Sequence, residues 1–105
     1  MRTTTTKPPM PMRQLQMKEQ TAFTRIPGMT ELLHAHGDEA DTLRARYPDA
    51  AFALMAAENL FTGDRELCMI HQKAYFSILD GESVPNARFR YDREMDAYVR
   101  QHMWD

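Results

Sequence analysis

The sequence predicts an all-α protein, a small three- or four-helix bundle with a disordered N-terminal arm. Three observations predict it. Pro48 to Phe61, PDAAFALMAAENLF, is the most apolar run and carries a proline suited to a helix's first turn. The segments starting at Asp64 and Ser83 repeat apolar residues at helical spacing behind capping residues. No segment alternates apolar and polar residues with period two, so no strand is expected.

The 105 residues amount to one domain with one core. Residues 1–26 read as a basic arm, disordered or partly helical, and residues 27–105 as the helical domain. The opening MRTTTTKPPMPM has no periodic apolar face, and Pro8, Pro9 and Pro11 lack backbone donors. A short helix over 13–25 has only Leu15, Met17 and Phe23 as large apolar residues, poorly spaced. Ile26-Pro27-Gly28 breaks the chain. Thr30 reads as an N-cap, with Glu31 near the positive end of the helix dipole. Gly37 either bends this helix or separates it from a second one capped by Asp38 and running to Tyr47. Tyr47-Pro48 is a boundary, because a residue before proline is biased out of the helical region.

Between Pro48 and Phe61 the alanines cover most of the circumference, and Phe52, Met55, Leu60 and Phe61 add bulk. A helix apolar nearly all round is the central helix of a bundle. Asp64 caps the next helix, whose stripe is Leu67, Ile70, Ala74 and Ile78 with Tyr75 and Leu79 beside it. Gly81 ends it as a left-handed cap. Ser83 caps the last helix, with Pro85 in its first turn. Its stripe is Val84, Ala87, Tyr91, Met95 and Tyr98, widened by Val99 and Met103.

Net charge is -2, and its distribution is uneven. Residues 1–26 hold Arg2, Lys7, Arg13, Lys18 and Arg25 against Glu19 alone, a balance of +4. The remaining 8 basic and 14 acidic residues give the body −6. Such an arm suits an acidic partner, nucleic acid or its own body. The single cysteine, Cys68, cannot close an internal disulfide. No apolar run reaches the roughly 18–20 residues that span a bilayer. The first residues lack the apolar region of a secretory signal. The expectation is a cytoplasmic protein with no membrane contact.

Few residues suggest chemistry. Cys68 and His71 stand at i, i+3 on one helix face, a spacing that can hold a metal or activate a thiol. A structural zinc site needs two more ligands. His34-Ala-His36-Gly-Asp38 resembles the H-x-H-x-D element of metallo-β-lactamase-type hydrolases, but Glu39 stands where that element has a further histidine. The chain is also too short for that fold. The helix–Thr62-Gly63–helix pattern admits a DNA-binding helix-turn-helix, yet Arg65, Gln72 and Lys73 form a thin basic footprint. Arg88, Arg90, Arg93 and Arg100 lie off the apolar stripe of the last helix and are the candidate interaction residues. Neither an enzyme nor a cofactor is expected. The leading reading is a protein–protein interaction module. The alternative is a small nucleic-acid-associated regulator using the arm and the last helix, and a second copy of the chain is a further partner to test.

Tyr47-Pro48-x-Ala50-Ala51, Ala57-Glu58, Lys73-Ala74, Ile78, Gly81-Glu82 and Glu94-Met-Asp-Ala-Tyr98 together make the chain similar to one known group. Over about residues 38–100 it resembles small uncharacterised helical proteins encoded on mobile elements of Gram-positive gut bacteria. The resemblance implies an accessory role for such an element and no catalytic residues.

Overall fold

A computed structural model describes residues 17–103; the expected disordered arm to residue 16 and the last two residues lie outside them. The protein is all-α. Its helices are α1 (Met17–Phe23), α2 (Met29–Leu33), α3 (Gly37–Arg46), α4 (Pro48–Glu58), α5 (Arg65–Leu79) and α6 (Val84–Met103). No strand occurs among the described residues. None of these helices is long and apolar enough to cross a membrane.

α4 is the centre, as its alanines predict. Pro48 occupies its first turn and Tyr47 before it is non-helical, with φ −124° and ψ 75°. Ala50, Phe52, Ala53, Leu54, Ala56 and Ala57 are all buried; on the remaining side Ala51 and Met55 are partly buried against the core, and Pro48 and Glu58 are exposed. α4 accordingly packs on α2, α3, α5 and α6. It ends earlier than the apolar run does. The side chain of Asn59 donates to the Met55 carbonyl at 2.7 Å and satisfies the last turn. Leu60 still packs against the core, but Phe61, expected to add bulk to it, is 88% exposed.

The caps of α5 follow the sequence. The Asp64 carboxylate accepts from the Leu67 amide at 2.8 Å. At the other end Gly81 takes φ 103°, its amide donates to Ile78, and the Glu82 amide donates to Ser77, each at 3.0 Å. That pair of bonds is the Schellman arrangement, which satisfies carbonyls a helix end leaves open. Ser83 Oγ accepts from the Asn86 amide at 3.3 Å and starts α6.

The first half departs from its reading in three places. Residues 17–26, assigned to a partly helical arm, do form the short helix α1 and a turn, but Ala22, Phe23 and Ile26 are buried in the core rather than held in an arm. α2 begins at Met29 behind Gly28, so Thr30 lies inside the helix and caps nothing. Gly28 has φ 84°, and a Cβ there would run into the ring of Tyr47. Gly37, with φ 58°, separates two helices, and the N-cap of α3 is His36, not Asp38.

α5 and α6 run antiparallel. Lys73 meets Glu94 at 2.9 Å, Arg90 donates to Ser77 Oγ at 2.8 Å, and Tyr98 donates to Asp64 Oδ2 at 2.7 Å. Tyr98 thus lies level with the start of α5. In a further departure, Val99 and Met103, read as widening the stripe, are exposed.

Phe52 is buried and meets the Tyr91 ring edge-on at 5.0 Å between centroids, joining α4 to α6. Phe52→Ala is predicted to cost about 3–5 kcal/mol. A thermal melt checks this, and an unchanged midpoint would remove α4 from the centre of the fold.

Candidate interaction surface

Cys68 and His71, the candidate metal pair, each have another partner. Cys68 Sγ donates to the Thr62 carbonyl at 2.8 Å, across the α4–α5 connection. His71 is buried, and its Nδ1 lies 3.1 Å from the Leu67 carbonyl. A carbonyl only accepts, so Nδ1 carries the proton. In the neutral ring Nε2 is then the acceptor for the Tyr91 hydroxyl, 3.3 Å away. Burial holds the Tyr91 phenol above its ordinary range. His71 therefore ties α5 to α6 from inside. His34 donates to the Thr30 carbonyl at 3.2 Å on an exposed turn. Among the described residues no group of three or more His, Cys, Asp or Glu is placed to hold a metal ion.

The four arginines of α6 lie on the outer faces of that helix, each with its own local contact. Arg88 is 4.0 Å from Asp92, and Arg100 pairs with Asp96, both one turn along the helix. Arg90 holds Glu82 at 2.7 Å as well as Ser77. The hydrogen bond from Arg90 lowers the Glu82 carboxyl below its usual range and pushes the guanidinium further up. Arg93 lies over the Phe89 ring, 5.8 Å from its centroid. Arg90 and Arg93 line one shallow groove with Glu94 and Ala97. Pairs this exposed contribute little to stability.

The feature that stands out is apolar. Met69 and Phe76, seven residues apart on the outer side of α5, are 54% and 51% exposed. Their neighbours Ile70, Tyr75 and Ile78 are buried. A shallow groove runs along the α5–α6 seam between Met69 and Phe76 on one side and Arg90 on the other. It continues past the Lys73–Glu94 bridge to Ala97. Phe89, at 63% exposure, adds a third large apolar side chain on the outside of α6. Met69 and Phe76 were missed in the sequence because they lie beside the buried stripe rather than on it. Their signal was simply two large apolar residues left over after the stripe had been assigned.

A polar clasp closes one end of the seam. The Tyr98 and His102 rings lie tilted together with centroids 4.2 Å apart, Tyr98 bonds Asp64, and His102 Nε2 is 3.5 Å from Glu66. The Leu67 amide and then the Tyr98 hydroxyl hold the Asp64 carboxyl below its ordinary value of 3.8. The Asp64 bond raises the Tyr98 phenol in turn.

These observations define a class, a small all-α bundle with an apolar outer seam. No protein-family model matches the chain, and neither a curated protein nor a solved structure matches it.

The depressed Asp64 carboxyl gives a pH dependence with a definite sign. Its contribution is present above the unfolded value and is lost as pH falls through the lower folded one. Stability should therefore fall as acidification passes the ordinary value of 3.8 and goes on below it, and Asp64→Asn should flatten that fall. Chemical denaturation at stepped pH measures it. Equal slopes in both proteins would show that the Asp64 contacts do not couple to folding.

Proposed function

We propose that the chain is a non-enzymatic protein–protein interaction module that engages its partner along the α5–α6 seam. One observation carries the reading: Met69 and Phe76 stand half in solvent on a helix whose other large apolar residues are packed. Large apolar side chains grouped on an outer face mark interaction sites, and an aromatic side chain at the centre of a groove is a typical energetic anchor. The arginines around the seam supply a polar rim. The same arginines weigh against the nucleic-acid reading, because Arg88, Arg90 and Arg100 already have carboxylate partners. Phosphate binding would have to compete with those pairs. Placement in the cytoplasm belongs to the same proposal and is supported by the lone Cys68. Service to a mobile element is supported by the resemblance of residues 38–100 alone.

The test uses the tagged full chain in a native lysate, with and without Phe76→Asp. Phe76 is half exposed, so the variant should keep its helical circular dichroism and its melt. A specific protein should be retained by the unmodified chain and lost with Phe76→Asp. No retained protein, or equal retention by both, would contradict the proposal. Salt-dependent DNA binding at about 50 mM salt would favour the nucleic-acid alternative.

A further inference from the structure

α1 has seven residues, too few for a helix that stands alone. It is held by packing, and the helix it packs on is α5. Tyr75 is the focus of that packing. The buried Glu19 carboxylate accepts the Tyr75 hydroxyl. The Phe23 ring lies 5.7 Å from the Tyr75 ring, tilted against it. Glu19 and Phe23 are four residues apart, hence on one face of α1. Just beyond the helix, Arg25 donates to the carbonyls of Ile78 at 3.3 Å and Glu82 at 3.1 Å, at the C-terminal end of α5.

The surface under α1 is continuous with the exposed seam. Tyr75 meets Phe76 edge-on at 5.0 Å, so the covered and the uncovered aromatic rings touch. α4, α5 and α6, by contrast, are joined to one another by Phe52, Tyr91 and His71, none of which involves α1.

We propose that α1 is a strap that opens from α5 as a unit, without unfolding the body, and uncovers a Tyr75-centred face that extends the Met69–Phe76 seam. The contacts of α1 define what that face accepts. It takes a helix presenting a carboxylate and an aromatic side chain four residues apart, to meet the Tyr75 hydroxyl and ring. The identity of that partner rests on the interaction-module reading. The opening of the strap does not, and is measured with no partner present.

Native-state hydrogen exchange on the full chain separates local from global opening. Two groups of amides are compared: Thr21 to Thr24, where Thr24 donates to Gln20, and Ala74 to Ile78 in α5. Phe52→Ala destabilises the body whether the strap is closed or open. It should speed exchange in α5 by about 100-fold or more and leave α1 within about twofold. In the unmodified chain, low urea should accelerate α5 strongly and α1 hardly at all, a check that does not need the variant to fold. Acceleration of α1 in step with α5 in either experiment overturns the strap. So does a complete lack of protection in α1, which would mean that there is no closed state. Where the lysate test yields a partner, Phe23→Ala, which loosens the strap, should raise its retention. Unchanged retention would show that the strap covers no binding face. Failure to find any partner would count against the interaction module and leave the strap standing.

Discussion

Close approach to α4 is the constraint on which the rest of the structure depends. Ala50, Ala53 and Ala56 have no exposed surface. A methyl group at each lets α2, α3, α5 and α6 come against the same eleven-residue helix. The bulk that fills the gaps then comes from the neighbours: Met29 and Leu32 from α2, Ile78 from α5, Val84 and Ala87 from α6. A core of this size leaves little surplus for strain, and the α4 backbone stays regular to Glu58, where the Asn59 side chain replaces the next helical bond.

The polar groups inside this core also serve to align helices. His71 fixes its own tautomer on the Leu67 carbonyl and receives Tyr91 from α6. Glu19 receives Tyr75 and so sets the register of α1 on α5. A buried polar group without a partner costs about 1–3 kcal/mol, so each of these bonds disfavours slipped arrangements of the same apolar surfaces. Ion pairs on the outside have another role. Lys73–Glu94 and Arg90–Glu82 lie across or beside the α5–α6 seam and leave Met69 and Phe76 as its exposed apolar part.

The second half of the chain was legible in the sequence because its signals are local. Pro48, Asp64, Gly81 and Ser83 mark ends that the structure keeps, and the α5 stripe needs only the helical period. The first half was not, because what orders it is distant. Phe23 and Glu19 are ordered by Tyr75, 56 residues from Glu19, and a glutamate in a poorly patterned stretch gives no sign that it is buried. Gly37 was ambiguous because a mid-helix glycine and a left-handed linker are the same letter; its φ of 58° decides the matter. On the surface, Arg88–Asp92 and Arg100–Asp96 follow from i, i+4 spacing. The bond from Arg90 to Glu82 depends on how α5 turns into α6. Val99 and Met103 continue the α6 stripe in sequence but are exposed in the fold.

Ala53 offers the most direct test of α4 as a helix packed closely on several sides, because it is fully buried. Replacing it with leucine adds volume where the account leaves none. The melting and urea midpoints of Ala53→Leu should both fall, with a loss of about 1–3 kcal/mol, as overpacking of a filled core produces. An unchanged or raised midpoint would mean that α4 has room at Ala53, and would contradict the account at its centre.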